Sequence, residues 1–315
     1  MRILLSFLLV FNLLTASAQL TYQTLTVDFD SSWQYKNLKI IPIRQKAGGG
    51  SPGQGSGLGD IVTLNQAIRQ GLVTVSERGT TAIENVHWLR INNNSEKSVY
   101  VSSGEIVAGG RQDRMMARDT ILAPTHRDQY VPAMCVEEGR WSEKEKKFDY
   151  AHFANGHLRK ILDSSRNQLQ VWHEVQRQLD SGHFKNNTLS YLSRRQDKKY
   201  VQVNDEYFNF FRGKFRHSDS TIVGFVAVSG NKIIGSDIFA DPALFYGQLE
   251  PLLRGYIDDA VIFGAPVDLP TPPIRRYADK LLSNEASQEE FVKKNGKIFR
   301  QNGRVIHVNT FLKDQ

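Results

Sequence analysis

The sequence predicts an α+β protein, and three observations carry that prediction. Strand-like runs dominate from residue 20 to Trp141. Apolar residues then recur at helical spacing beyond residue 150, and hairpin signals mix with helix signals in the remainder. A block of strands followed by helices and hairpins suits α+β better than a regularly alternating parallel sheet. No internal repeat and no clear linker divides the chain. One domain over residues 19–315 is therefore expected, with residues 150–217 as a helical covering layer or an insertion.

Residues 1–18 are set apart from that domain. Arg2 precedes an apolar run from Ile3 to Leu14, and Ala16 and Ala18 fit a small-residue cleavage pattern. This is the layout of a signal peptide, with the mature chain beginning at Gln19. The run is too short to span a membrane, and no later stretch is long and apolar enough. An exported product, periplasmic or secreted and without a transmembrane segment, is expected. Export permits disulfides, yet Cys135 is the single cysteine, so no intrachain bridge can form. The chain carries 40 Lys and Arg against 33 Asp and Glu, a net charge of +7. That mild excess favours an anionic ligand or surface. No dense basic block with interleaved aromatics argues for nucleic acid. "RWSEKEKK" (140–147) mixes both signs and reads as a solvated turn.

The elements follow in order. "LTYQTLTV" (20–27) and "LKIIPIR" (38–44) read as strands, and the second feeds the low-complexity "AGGGSPGQGSGLG" (47–59). Its glycines miss the G-x-G-x-x-G spacing and no Gly-Lys-Ser/Thr follows, so a flexible surface loop is expected rather than a phosphate cradle. Thr63 and Gln66 form a capping box that starts a short helix, and Gly71 stops it. "LVTVSE", "VHWLRIN", "SVYVSSGEIVA", "MMARDTIL" and "YVPAMCV" continue as strands. Leu158, Ile161, Leu162, Leu169, Trp172, Val175 and Leu179 then predict one long amphipathic helix ending at Gly182 and packed on the sheet. "DEYFNFFRGKF" (205–215) reads as a further short helix. Ser229-Gly230-Asn231 marks a hairpin, Asp241-Pro242 a helix start, and Pro251 a break or restart. Asn302-Gly303 marks the strongest hairpin.

"GEIVAGGRQDR" (104–114) is the segment that points to chemistry. A two-residue turn at Gly109-Gly110 would set Glu105 opposite Arg114, with Gln112 on the same valine-lined face. The sequence thus predicts a Glu105–Arg114 pair, either a structural ion pair or part of a ligand site. A second cluster holds Cys135, Glu137, Glu138, Gly139, Arg140 and Trp141. Cys135 reads as a small buried side chain or, less simply, as a nucleophile. Glu137 suits acid/base work or hydroxyl binding, and Arg140 suits two-point contact with phosphate. Asp237 could join the site or cap a strand end. The histidines show no H-E-x-x-H, a lone cysteine excludes zinc ribbons, and no G-x-S-x-G marks a hydrolase. No metal-ligand spacing is present, although scattered acids leave a divalent ion open.

"TLNQAIRQGLVTVSE", "VHWLRINNNSEKSVYVSSGEIVAGGRQDR", "PAMCVEEGRW" and "GSDIFADPALF" together resemble the family of ADP-ribosylglycohydrolase and rhodanese-phosphatase-superfamily-associated protein domains. The resemblance runs from about residue 20 to beyond 260. It implies an association with ADP-ribose and NAD-related chemistry. It also implies a shared site from Glu105, Gln112, Asp113, Arg114, Glu137, Arg140 and Asp237. On that expectation Glu105 or Glu137 is the acid/base group, while Gln112, Asp113, Arg114, Arg140 and Asp237 hold a small anionic ligand. That ligand would be a nucleotide, an ADP-ribose derivative or another phosphorylated compound. The resemblance names no cofactor and leaves catalysis open. A non-catalytic binding or structural module of the cell envelope is the alternative. An exported member is at odds with intracellular NAD metabolism, which an extracellular nucleotide or sugar phosphate would reconcile.

Overall fold

The computed structural model describes residues 19–46, 60–78, 87–143, 147–216 and 219–311. The expected leader, the glycine-rich segment 47–59 and part of the 140–147 turn lie outside the described residues.

Three strands open the chain: β1 (Leu25–Val27), β2 (Trp33–Tyr35) and β3 (Leu38–Gln45). β4 (Ile61–Thr63) leads into α1 (Leu64–Arg69). Eight strands follow: β5 (Val73–Glu77), β6 (Trp88–Asn93), β7 (Ser98–Val101), β8 (Glu105–Gly109), β9 (Arg114–Met116), β10 (Thr120–Leu122), β11 (Asp128–Cys135) and β12 (Lys147–Phe153). The helical section holds α2 (Gly156–Ser165), α3 (Gln168–Ser181), a 3-10 helix at Tyr191–Gln196 and α4 (Lys198–Arg212). β13 (Ile222–Ser229), β14 (Lys232–Phe239) and α5 (Pro242–Ile262) come next. The last elements are α6 (Thr271–Leu282), α7 (Glu285–Asn295), β15 (Gly296–Gln301) and β16 (Arg304–Thr310).

The fold is α+β, as expected. Six strands close into a barrel in the order β11-β6-β5-β12-β8-β9, which leaves that part of the chain without an open edge. A small sheet runs β10-β7-β4, and a larger one runs β1-β3-β13-β14-β16-β15 with β2 beside β3. Val75, Ile91, Val107, Met116 and Val131 share the cluster between the barrel strands. Leu158, Leu162, Val171, Val175 and Leu179 of α2 and α3 pack on Ile106, Met115 and Val136. The large sheet is covered on both sides. α5 brings Leu252, Leu253 and Ile257 to Phe225, while α6 and α7 bring Ile274, Leu281 and Val292 to Ile43 and Val308.

Local signals mostly hold. Thr63 and Gln66 form the full capping box, and Gly71 follows with φ +69°. Gly230, at φ +57°, turns β13 into β14, and Ser229 pairs with Lys232. Asn302 and Gly303 have φ of +51° and +77°, the double positive that the tightest hairpin turn requires.

Three expectations are corrected. The single long helix is two, because Arg166 takes a left-handed φ of +48° at the end of α2. Asn167 then accepts from the Leu169 and Gln170 amides to start α3. Leu169 is consequently exposed and Trp172 only half-buried. Pro251 neither breaks nor restarts α5. Proline removes the amide that would bond Gly247 four residues back, and the Thr63 hydroxyl donates to that carbonyl at 3.3 Å instead. The third correction concerns the turn after β8. Val107, not Glu105, stands opposite Arg114, so the register is shifted by two. The glycine pair serves close approach rather than a two-residue turn: a Cβ on Gly110 would lie 2.0 Å from the Phe148 ring, and one on Gly109 2.6 Å from the Lys147 carbonyl.

Candidate functional site

The residues singled out from sequence fall into three separate places. Gln112, Asp113, Glu137 and Arg140 form a brace around the loop between β8 and β9. Arg140 Nε donates to Glu137 Oε2 at 2.7 Å, and its other nitrogens donate to the Gly110 and Gly109 carbonyls and to Asp113 Oδ1. Asp113 accepts in addition from the Gly109 amide and the Ser190 hydroxyl. Glu137 accepts from the Asp113 amide, and Gln112 donates to the Glu138 carbonyl. Burial and the nearby Glu137 charge push the Asp113 carboxyl up despite these donors. Arg140 is therefore already shared among two carboxylates and two carbonyls, which is the geometry of a structural clamp. Arg114 is fully buried and pairs with Glu77 at 3.4 Å, so the expected Glu105–Arg114 pair does not form. Cys135 is buried, and burial raises its thiol, which suits the small apolar reading.

Glu105 sits elsewhere. It is fully buried and accepts from the Ser102 amide at 2.6 Å and from Gln248 Nε2 at 3.2 Å. Burial lifts its carboxyl to about 8 against the pull of those donors. No cation pairs with it among the described residues. It is a neutral acid at pH 7, held between strand and helix.

Asp237 leads to the third place, which sequence reasoning largely missed. Its carboxylate is fully buried on β14. Arg159 of α2 grips it with two bonds of 2.9 and 2.6 Å, Tyr256 of α5 donates at 2.6 Å, and His307 Nε2 of β16 lies 2.8 Å away. The other ring nitrogen, Nδ1, is 3.0 Å from Asp119 Oδ1. Asp119 Oδ1 also takes the Tyr100 hydroxyl at 2.6 Å and the Ser102 hydroxyl at 3.4 Å. The His307 ring stacks on Phe239 with centroids 4.4 Å apart. Burial works to raise both aspartates, but Arg159 and His307 at Asp237, and His307 and Tyr100 at Asp119, hold each below the usual range. Burial alone would lower His307. The two carboxylates outweigh it and lift the ring to about 9. The line Asp119–His307–Asp237–Arg159 is thus fully ionised at pH 7.

Asp119 ends that line in a surface cleft of about 630 Å³. Arg118, Arg166, Lys297, Tyr130 and Phe299 line it with Asp119. Arg118 and Arg166 are exposed, and their side chains make no hydrogen bond or ion pair among the described residues. Lys297 pairs with Asp163 in the last turn of α2. The left-handed turn that splits the expected long helix is what brings Arg166 here, and the Asn302-Gly303 hairpin brings Lys297 and His307. Asp237 therefore supports this site from behind and cannot touch a ligand itself. The polar residues Asp119 in "MMARDTIL" and His307 in "RVIHV" were the available signals, since a charged side chain in an apolar strand needs a partner. Among the described residues no cluster of three or more His, Cys, Asp or Glu could hold a metal ion. No helix among them is long and apolar enough to cross a membrane.

No curated protein and no solved structure matches the chain. A family model does match, over residues 26–312, which includes all three places described above. The chain belongs to the family of ARG and Rhodanese-Phosphatase-superfamily-associated Protein domains.

Proposed function

We propose that the protein binds a phosphorylated small molecule, of the ADP-ribose or nucleotide kind, in the cleft between β10 and β15. The observation that carries this reading is the pair of exposed, unpartnered guanidinium groups, Arg118 and Arg166, beside Lys297. Guanidinium forks match phosphate oxygens in two-point contact. The cleft is also roomy enough, at about 630 Å³, for a mononucleotide-sized compound. The apolar walls from Ile121, Tyr130 and Phe299 suit a ligand with an aromatic or carbon-rich part. If residues 1–18 act as the expected leader, the chain would meet such a compound outside the cytoplasm.

Binding without turnover is the form of this reading that the side chains favour. Glu105 and Glu137, the acid/base candidates expected from sequence, are engaged at other places and do not line this cleft. Asp119 does line it, but its lowered carboxyl makes it a weak base. The test is calorimetric titration with ADP-ribose, NAD and inorganic phosphate at low and high salt. Product analysis by mass spectrometry would be run on the same mixtures. Binding that weakens with salt and drops at least tenfold in Arg118→Ala/Arg166→Ala is expected. No binding of any of the three at millimolar concentration would overturn the reading. A new product would replace the binding form with an enzyme.

A further inference from the structure

Asp119 offers its two carboxylate oxygens very differently. Oδ1 receives His307 Nδ1, the Tyr100 hydroxyl and the Ser102 hydroxyl. Oδ2 accepts nothing from the described residues, although Asp119 is only 7% exposed and lines the cleft. Oδ2 is open to the cleft, where a ligand donor can take the place of water. The residues behind Asp119 also fix where Oδ2 points, because His307 is itself clamped by Asp237 and stacked on Phe239. An ionised oxygen is thus held in place, without a donor, beside a patch of cations.

Resting on the phosphate reading above, we propose that the ligand carries a hydroxyl group near its phosphate, and that Asp119 Oδ2 accepts that hydroxyl. Two features select a hydroxyl over other donors. Arg118, Arg166 and Lys297 repel an ammonium group on the ligand, so the donor must be neutral. A second anionic group placed there would meet the Asp119 charge, so polyanions without hydroxyls are disfavoured. Asp119 is then the specificity-determining residue of the cleft. It distinguishes a phosphorylated polyol or sugar from a bare or alkyl phosphate, in the manner of sites whose polar groups reject a substrate lacking a partner. Asp237 and Arg159 act through His307 and are positioning residues.

A size-matched pair of probes tests this on the unaltered protein. Glycerol 3-phosphate and n-propyl phosphate differ only in hydroxyl groups, and phosphoethanolamine, one carbon shorter, carries an ammonium and no hydroxyl. Calorimetric titration should show glycerol 3-phosphate binding about tenfold or more tightly than propyl phosphate, the effect of one hydrogen bond to a charged acceptor. Phosphoethanolamine should bind no better than propyl phosphate. Asp119→Asn, checked for folding by circular dichroism, should narrow the glycerol-to-propyl ratio to within about threefold. Its affinity for propyl phosphate should hold or improve. Equal binding of all three phosphates would overturn the role of Asp119 while leaving the phosphate reading intact, and tighter binding of phosphoethanolamine would do the same. Failure of every phosphate to bind would remove both.

Discussion

His307 Nδ1 lies 3.0 Å from Asp119 Oδ1, and this contact ties the last strand of the chain to the acid that lines the cleft. Removing either partner leaves a buried charge facing an uncompensated neighbour. The pair also makes stability depend on pH. His307 is lifted to about 9 in the folded protein, above its ordinary 6.5. Its contribution is complete below pH 6.5 and is lost as the pH rises through 9. The shift corresponds to about 3 kcal/mol. Urea unfolding at pH 6 and at pH 9.5 should show a fall of at least that order in the wild type, to which Glu105 adds below about pH 8. His307→Gln should be less stable at pH 6 and should keep only the part of the fall, below about pH 8, that Glu105 carries. A variant that keeps the full alkaline loss would show that another group carries it.

Glu105 slopes the same way over a lower range. Its carboxyl rises from 4.5 to about 8 on folding, so the folded state holds a proton that the unfolded state releases above pH 4.5. Stability contributed by this group is complete below pH 4.5 and falls until about pH 8. Gln248 Oε1, on the amide that donates to Glu105, has no donor of its own among the described residues. Glu105→Gln should therefore match the wild type near pH 4.5 and exceed it at pH 8, by at most about 5 kcal/mol. Thermal unfolding at the two pH values checks this, and a variant that is weaker at pH 8 would mean the carboxylate is ionised and held.

Much of the fold was legible because its signals are local. Thr63, Gly230 and Asn302-Gly303 act through the backbone of one turn, and a turn can be read from the residues that form it. The register after Gly110 was not legible, since it depends on the Phe148 ring of another strand. Arg166 was hidden for a related reason: helical spacing runs smoothly through it, and only the cap at Asn167 stops the helix. For the site, polarity on a valine-lined strand marked Glu105 as buried and in need of a partner, with Arg114 beside it, whereas Asp237 read only as a site member or a strand-end cap. It could not say which partners. Arg114 meets Glu77, and Asp237 meets Arg159 and His307, each from a distant part of the chain.

The Glu77–Arg114 pair can be measured directly. Both side chains are buried, and Glu77 also accepts from the Arg111 amide at 2.8 Å. Glu77→Gln leaves the guanidinium without its counter-charge and should cost about 3–5 kcal/mol. Arg114→Met alone should cost a similar amount. The double variant should recover most of the loss, because it no longer buries a single charge. Urea midpoints of the four proteins give the coupling, and strictly additive losses would show that the pair does not act as a unit.

Thr63 joins two elements that no local rule would connect. Its hydroxyl accepts from the Gln66 amide to start α1 and donates to the Gly247 carbonyl that Pro251 leaves open in α5. Thr63→Ala removes both bonds, and a lost cap together with the loss of the part-buried Gly247 contact should cost up to about 2 kcal/mol. Thr63→Ser keeps the hydroxyl and should cost well under half of that. Replacing Pro251 with alanine restores an amide for Gly247, so in that background Thr63→Ala should lose only its capping part, about 1 kcal/mol. Denaturant unfolding of the four variants separates the two roles. Equal losses from Thr63→Ala with proline and with alanine at position 251 would show that the Gly247 contact contributes nothing.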